Sequence, residues 1–159
     1  MIIFCDIDGV LFDISHRLHY QQSGDYESFY SDDALAGDSI INGGVSLVRG
    51  LIRGYNCPFR LCFVTGRPER TRTMTEHRLQ YLDIDDASFS LHMRKDGDYR
   101  PSPQIKVELI RQILDEGREE SEDIFFIDDD PSNVKAVCDA FPRVIGLTFG
   151  AGRLGEHTK

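Results

Sequence analysis

Five short apolar segments, each separated from the next by a longer stretch with other periodicity, constrain the fold of this 159-residue chain most strongly. Each segment is rich in Ile, Val, Phe or Leu and is too short for a buried helix, so it predicts a buried β-strand. The predicted strands are Ile2 to Ile7, Phe59 to Val64, Phe89 to Met93, Ile124 to Ile127, and Val144 to Leu147.

Helical periodicity fills the intervals between these strands, and Gly or Pro marks the helix boundaries. The predicted helices contain Val45 to Ile52 before Gly54, Met74 to Leu82 after Pro68, Val107 to Leu114 between Ser102-Pro103 and Gly117, and Val134 to Phe141 after Asp130-Pro131. Alternating strands and helices predict an α/β fold, a three-layer Rossmann-like parallel sheet of about five strands. Its ligand crevice is expected beyond the carboxyl ends of the strands.

One interval, about residues 9–41, breaks this alternation between the first strand and its helix. A long insertion at the carboxyl edge of a sheet predicts a functional flap. Its basic and aromatic residues either pack the flap onto the sheet or stack on bases, and both interpretations stay open. They are His16, Arg17, His19, Tyr20, Tyr26, Phe29 and Tyr30. With this flap included, residues 1–159 are expected to form a single domain.

Composition limits the partners and the location of the chain. No segment approaches the roughly 18 to 20 apolar residues of a membrane span, and the start lacks a basic leader, so a cytoplasmic protein without a membrane partner is expected. The net charge of −9 argues against sequence-blind wrapping of nucleic acid. The interval from Arg60 to Lys106 is the exception, because it carries nine basic and seven acidic residues.

Polar residues stand where four of the predicted elements meet the same edge of the sheet. Asp6 and Asp8 end the first strand, Thr65 ends the second, Lys106 lies just inside the helix after the third, and Asp128 and Asp129 end the fourth. A single Asp at such a place is often a helix cap or a turn residue. Four sites at the equivalent edge predict one functional cluster instead.

These residue types suit phosphoryl transfer. A carboxylate that attacks phosphorus forms an acyl phosphate and divides one difficult displacement into two easier steps. Several carboxylates in one pocket repel each other and the phosphate, so a Mg²⁺ ion held by oxygen ligands is expected to neutralise them. A lysine and a threonine hydroxyl can hold the phosphoryl oxygens, while a second carboxylate shuttles a proton.

In order and over nearly the whole chain, these positions resemble the four motifs of the haloacid dehalogenase superfamily. The motifs are Asp6-Ile7-Asp8-Gly9, Val64-Thr65-Gly66-Arg67, Lys106 and Ile127-Asp128-Asp129. The resemblance implies a phosphatase with Asp6 as nucleophile and metal ligand. It implies that Asp8 is a general acid and base whose backbone carbonyl binds the metal. It also implies that Thr65 and Lys106 hold the phosphate, and that Asp128 and Asp129 bind and support the metal.

Two further segments, FDISHRLHY at 12–20 and RKDGDYR at 94–100, resemble the 3'-phosphatase half of bifunctional polynucleotide kinase-phosphatase. This resemblance implies that Arg17, eleven residues after the nucleophile, and Gly66-Arg67 of the T-G-R motif bind the substrate. Ser102 lies four residues before Lys106, at a position where these phosphatases often carry an acidic residue. The sequence contains no GxxxxGK[ST] loop, so the kinase half is missing, and a separate kinase or ligase is the partner implied.

The predicted function is therefore hydrolysis of 3'-phosphate ends of nucleic acid, and a nucleotidase or small-molecule phosphomonoesterase is the alternative. The flap is the only candidate lid and looks too short for a full helical bundle, which favours an open site. The basic residues of the middle segment either bind nucleic-acid phosphates or pair with neighbouring acids. These acids are Glu69, Glu76, Asp96 and Asp98.

Two functions without catalysis are alternatives to a phosphatase. A phosphoacceptor receiver carries its phosphorylated Asp at the end of a middle strand, whereas the central strands of this sequence are predicted to end in Thr65 and His92. A silent binding domain usually lacks an essential Asp, and this chain retains all four. Both features favour an enzyme.

Overall fold

The computed structural model describes residues 1–54, 58–82, 84, 89–116 and 123–150. The strands are β1 (Ile2–Cys5), β2 (Phe12–Asp13), β3 (Ser39–Ile40), β4 (Arg60–Pro68), β5 (Phe89–Arg94), β6 (Ile124–Asp128) and β7 (Val144–Thr148). The helices are α1 (Leu18–Ser23), α2 (Tyr26–Phe29), α3 (Asp32–Ala36), α4 (Asn42–Gly54), α5 (Arg72–Gln80), α6 (Ser102–Glu116) and α7 (Pro131–Ala140). Short 3-10 turns at Ser15–Arg17 and Glu69–Thr71 precede α1 and α5.

The five predicted strands form one parallel sheet in the order β5-β4-β1-β6-β7, which confirms the predicted fold class. β1 lies at the centre, and its last residue, Cys5, stands opposite Phe63 of β4 and Ile127 of β6. β1 ends two residues earlier than predicted. β4 continues past Thr65 to Pro68, with a register irregularity between these two residues that interrupts its pairing with β5.

Two hydrophobic clusters cover the faces of the sheet, because successive side chains of a strand point to opposite sides. Ile3 and Cys5 of β1 belong to the cluster that contains buried residues of α4 and α5. Ile2 and Phe4 belong to the cluster that contains buried residues of α6 and α7. Burial of a large apolar side chain contributes about 1.5 to 3 kcal/mol. The side chains on both faces of β1 therefore stabilise the packing of the two helix layers on the sheet.

The helices that follow the sheet strands begin close to the predicted residues. α6 begins at Ser102, and α7 begins at Pro131 after Asp130, whose side chain accepts a hydrogen bond from the Ser132 N–H at 2.8 Å. α5 begins at Arg72 instead of directly after Pro68, because a 3-10 turn occupies residues 69–71. The predicted end of α6 at residue 117 lies outside the described residues.

The flap folds into α1, α2 and α3 between the strands of a small antiparallel ladder, in which Phe12 of β2 stands opposite Ile40 of β3. Phe29 of α2 and Leu35 of α3 are buried. This packing supports the first of the two interpretations of the flap for Phe29. In the described ranges, no helix is long and apolar enough to cross a membrane. A single domain over residues 1–159 stays a prediction.

The strand order corrects the sequence argument against a receiver. The central strand is β1 and not the strands that carry Thr65 and His92, and His92 lies within edge strand β5. Numbered along the chain, the five strands of the main sheet have the order 3-2-1-4-5. Receivers have the flavodoxin-like order 2-1-3-4-5, whereas the observed order is that of the Rossmann sheet. Topology therefore excludes a receiver on firmer grounds than the strand ends.

Candidate active site

Asp6, Lys106 and Asp128 meet at the carboxyl edge of the two central strands. The Asp6 N–H donates to the Ile127 carbonyl at 2.8 Å, which continues the β1–β6 ladder and places the Asp6 side chain directly beyond it. Lys106 Nζ lies 2.6 Å from Asp6 Oδ1 and 3.2 Å from Asp128 Oδ2. It also donates to the Val64 carbonyl at 2.5 Å. All three charged side chains are buried.

Burial of this cluster changes the proton affinity of its members. Burial raises the pKa of Asp6 well above its usual value; Lys106 opposes the change, while Asp128 and Asp8 add to it. Burial lowers the pKa of Lys106, but Asp6 and Asp128 outweigh burial and hold that pKa above its usual value. Lys106 is therefore a permanent cation, and Asp6 is a carboxyl group whose ionised form needs nearby positive charge.

Three carboxyl groups fit a divalent cation at this edge. Asp6, Asp128 and Asp129 each offer one ligand oxygen, and these atoms lie within 4.8 Å of one another. Asp128 Oδ1 accepts hydrogen bonds from Asn133 Nδ2 and from the Asp130 N–H, both at 2.9 Å. Asp128 Oδ2 is buried with Lys106 Nζ 3.2 Å away, and it has no other hydrogen-bond donor among the described residues. An all-oxygen donor set, with more carboxylates than the single charge of Lys106 can neutralise, suits a hard cation such as Mg²⁺.

Asp129 lies against the turn that follows Asp8. A Cβ atom on Gly9 would lie 2.0 Å from Asp129 Oδ2, and Gly9 has φ +76°, a conformation that other residues rarely adopt. Both the backbone and the close approach therefore require glycine at this position. The pKa of Asp129 is raised to about 6, first by partial burial of the Asp129 carboxyl group and then by the charge of Asp128.

Two arginines hold Asp8. Its Oδ1 atom accepts hydrogen bonds from Arg17 Nη2 at 2.9 Å and from Arg67 Nε and Nη2 at 3.0 and 2.5 Å. Burial raises the pKa of Asp8, but Arg67 and then Arg17 outweigh burial and hold that pKa below its usual value. Asp8 is therefore ionised in this arrangement.

Arg17 and Arg67 are fully buried, and every nitrogen of their guanidinium groups donates to the protein. The structure brings both arginines to the candidate site, where they orient Asp8. Their contact with a substrate phosphate stays a prediction.

Asp38, the residue before β3, is a partner of these arginines that the sequence analysis missed. Its buried carboxylate accepts from Arg17 Nε at 2.7 Å and Nη2 at 2.9 Å, and from Arg67 Nη2 at 2.8 Å. Its backbone carbonyl accepts from Arg78. The pairing of β2 with β3 returns the chain to the sheet and brings Asp38 beside Asp8. The sequence carries only a weak signal, namely that two buried arginines need more than one carboxylate.

Asp38→Ala is expected to lower the free energy of unfolding by about 3 to 5 kcal/mol, because two buried guanidinium groups would lose a carboxylate partner. Urea denaturation measures this change. Asp139→Ala is the control, since it removes the exposed partner of Lys135 and is expected to cost less than about 1 kcal/mol. Equal losses in the two variants would show that the buried network contributes no more than a surface ion pair.

The end of β4 forms hydrogen bonds with β5 and with the flap. Thr65 is buried, and its Oγ1 accepts from the Arg67 N–H at 3.2 Å. The Gly66 carbonyl accepts from Arg94 Nε of β5 at 3.0 Å and from the Tyr30 hydroxyl of the flap at 3.4 Å. Burial, and then the charge of Asp8, raise the pKa of Tyr30 to about 12, so its hydroxyl stays protonated. Since Lys106 reaches the carbonyl directly before Thr65, the two predicted phosphate-binding residues lie side by side.

The basic residues of the middle segment divide into two groups. The surface group pairs with acids, as one of the two interpretations predicted: Arg70 with Asp96, Arg72 with Glu69 and Glu76, and Arg100 with Asp98 and Glu108. Buried Arg67 instead pairs with Asp8 and Asp38, as Arg17 of the flap does. The basic excess available to a polyanion is therefore smaller than the residue count indicates.

The parallel sheet with a flap after β1 is a fold that this chain shares with solved structures of haloacid dehalogenase-like hydrolases. In particular, the chain resembles a chain in two structures of the Pnkp1/Rnl/Hen1 RNA repair complex, with TM-scores of 0.66 and 0.67 and 24% identity. The matches cover 92% and 94% of this chain, which spans 45% and 43%, less than half, of its counterparts. These matches confirm the predicted resemblance at the level of the fold.

Two other solved structures share the fold. A haloacid dehalogenase-like hydrolase from Streptococcus pneumoniae has a TM-score of 0.62 and 16% identity, over 92% of this chain and 83% of its own. A D,D-heptose 1.7-bisphosphate phosphatase from B. bronchiseptica, solved with magnesium and phosphate, has a TM-score of 0.56 and 15% identity, over 87% and 75%. No model of a protein family matches the sequence, and no curated protein matches it.

Proposed function

We propose that this chain is a Mg²⁺-dependent phosphatase that forms an aspartyl-phosphate intermediate on Asp6 and acts on 3'-phosphate ends of nucleic acid. The convergence of buried Lys106 with three carboxyl groups at the edge of the central strands carries the proposal. A cluster of acids that only faces solvent does not require a buried lysine, and burial of a charged group is costly. A phosphoryl group needs both the cation and the acids.

Asp6 is the nucleophile in this proposal. The Ile7 N–H donates to its Oδ1 at 2.7 Å, and Lys106 Nζ lies 2.6 Å from the same atom, so Oδ2 is the oxygen available to attack. Attack forms the Oδ2–P bond and breaks the bond from phosphorus to the leaving oxygen, which takes up a proton. Water then attacks phosphorus, releases inorganic phosphate and restores the Asp6 carboxylate.

Mg²⁺ has a defined task in this site. Bound by Asp6, the Asp8 carbonyl and Asp128, with Asp129 in support, it would neutralise the carboxylates that otherwise repel the phosphate. Lys106 keeps its positive charge and stabilises the negative charge on the phosphoryl oxygens, next to the Thr65 hydroxyl.

Proton transfer is assigned to Asp8. Arg17 and Arg67 stabilise its ionised form, and an ionised carboxylate accepts a proton from the water that attacks the intermediate. The leaving oxygen of the first step takes its proton from the minor protonated form of Asp8, which exchanges protons with solvent between turnovers. The two arginines therefore favour the second step of the reaction, which is the hydrolysis of the acyl phosphate.

The nucleic-acid substrate rests on the resemblance of residues 12–20 and 94–100 and on the similarity to a chain of an RNA repair complex. The placement of Arg17 and Arg67 around Asp8 agrees with that resemblance. A cytoplasmic location and work beside a separate kinase or ligase complete the proposal.

Two oligonucleotides of one sequence, phosphorylated at the 3' or the 5' end, test this substrate. We expect kcat/KM for release of phosphate to be at least about tenfold higher for the 3' end, the effect of roughly one good hydrogen bond. The rate should fall with salt, but less steeply than for a protein with six or more phosphate contacts. Equal values for the two ends, or faster turnover of a free nucleotide or sugar phosphate, would leave a phosphatase and remove the nucleic-acid substrate.

A further inference from the structure

A cavity of about 630 Å³ lies between the flap and the loop that joins β5 to α6. Tyr26 and Tyr30 line it from the flap, and Lys95 and Tyr99 line it from the loop. Tyr99 is 89% exposed and Tyr26 is 50% exposed. Two aromatic rings with this exposure, at the rim of a cavity, are available to a ligand.

The cavity adjoins the reaction site without containing it. Tyr30 and Arg94 both line the cavity, and both bond to the Gly66 carbonyl, one residue after Thr65. Among the described lining residues, none belongs to the carboxylate cluster around Asp6. A phosphate at Asp6 would therefore leave the remainder of its substrate in position to enter this cavity.

The cavity also carries positive charge in an acidic protein. The Arg94 guanidinium donates to three backbone carbonyls, which do not neutralise it. The Lys95 side chain is exposed and forms no hydrogen bond or ion pair with the described residues, whereas the Lys95 carbonyl accepts from the Asp98 N–H at 3.1 Å. Asp98 also lines the cavity but is paired with Arg100, which leaves Glu27 as the remaining acid of the lining. Arg94 and Lys95, the two cations of the lining without a carboxylate partner among the described residues, suit a nucleotide together with the exposed aromatic rings.

We propose that this cavity binds the terminal nucleoside of the substrate strand, with Tyr99 stacked on the base and Lys95 at the adjoining phosphodiester. This inference rests on the proposed phosphatase function. Every base has a π-face, so an exposed tyrosine stacks on it without reading the sequence. A lysine neutralises one backbone phosphate as a point charge. A sugar monophosphate would offer Lys95 no anion, so a strand fits the cavity better.

Tyr99→Ala tests the stacking contact. We expect kcat/KM for a 3'-phosphorylated oligonucleotide to fall about tenfold relative to that for glycerol 2-phosphate, which has neither base nor second phosphate. Tyr81→Ala is the matched control, because Tyr81 is 67% exposed and does not line the cavity. An equal ratio in wild type and Tyr99→Ala would overturn the stacking contact.

Lys95→Gln tests the phosphodiester contact through salt. The slope of log(kcat/KM) against log[salt] for the oligonucleotide is expected to become shallower by about one, the effect of one lost phosphate contact. Lys135→Gln is the control, since Lys135 is an exposed lysine on α7 that pairs with Asp139. An unchanged slope in Lys95→Gln would overturn this contact.

A binding measurement separates the cavity from the chemistry. We expect fluorescence anisotropy to show that Asp6→Asn binds a labelled 3'-phosphorylated oligonucleotide about tenfold more tightly than Asp6→Asn/Tyr99→Ala does. Equal affinity of the two variants would contradict nucleoside binding in the cavity, even if the wild type releases phosphate. If the wild type releases no phosphate while Tyr99→Ala still weakens binding, the proposed phosphatase activity would be wrong and the proposed nucleoside site in the cavity would stand.

Discussion

Asp6→Asn is expected to lower the release of phosphate by at least about a thousandfold, because loss of a catalytic nucleophile commonly costs several orders of magnitude. Asparagine keeps the shape of the side chain, and its carbonyl oxygen can still accept from the Ile7 N–H and from Lys106. It is, however, a poor nucleophile and an uncharged metal ligand. Turnover within about tenfold of wild type would contradict a covalent mechanism on Asp6.

Asp139→Asn is the matched control for this substitution, since it makes the same chemical change at an exposed site on α7. Circular dichroism and the urea midpoint should show that both variants are folded. Acid quenching of the wild type during turnover, followed by mass measurement of the peptide that contains Asp6, should reveal one added phosphoryl group. The Asp6→Asn variant should lack it.

Lys106→Ala and Asp128→Ala are expected to fail in different ways, each by about a hundredfold to a thousandfold in kcat under standard conditions. Lys106 stabilises charge on the phosphoryl oxygens, so its loss should persist at every Mg²⁺ concentration. Asp128 contributes a carboxylate to the metal, so its loss should raise the Mg²⁺ concentration needed for half-maximal activity. A Mg²⁺ titration of both variants measures the difference.

Both residues are buried, so the fold of each variant needs its own measurement. Lys106→Ala leaves Asp6 and Asp128 without their cation, and Lys106→Gln, which keeps most of the side-chain volume, is the second variant to compare. Asp128→Asn plays the same part for Asp128 and keeps the acceptor for Asn133. Rescue of the Lys106 variants by excess Mg²⁺, without rescue of the Asp128 variants, would reverse the assigned roles.

The fold class followed from the amino-acid pattern. Short apolar runs such as 124–127 are buried on both faces only when helices cover a parallel sheet, and the helical intervals supply those helices. The meeting of Asp6, Lys106 and Asp128 followed in turn, because parallel strands present their carboxyl ends at one edge. Their catalytic roles stay predictions.

The interior of the flap did not follow from the pattern. Helices α1, α2 and α3 have six, four and five residues, too few for a periodic apolar face to be recognised. Asp38 looked like any other acid of the flap until the pairing of β2 with β3 placed it against Arg17 and Arg67. These ion pairs join distant segments and depend on the pairing of β2 with β3, and the residues around Asp38 in the sequence do not reveal them.

Strand order and the cavity also needed the tertiary structure. Periodicity reports which side of a segment is buried, but not which strand lies beside it, and so the central place of β1 emerged only from its pairing with β4 and β6. Tyr99 and Lys95 lie near the candidate site because Arg94 bonds across to the Gly66 carbonyl and to the loop that follows β5. The contact between Arg94 and Gly66 joins two strands that are 28 residues apart in the chain, and the local order of residues does not encode it.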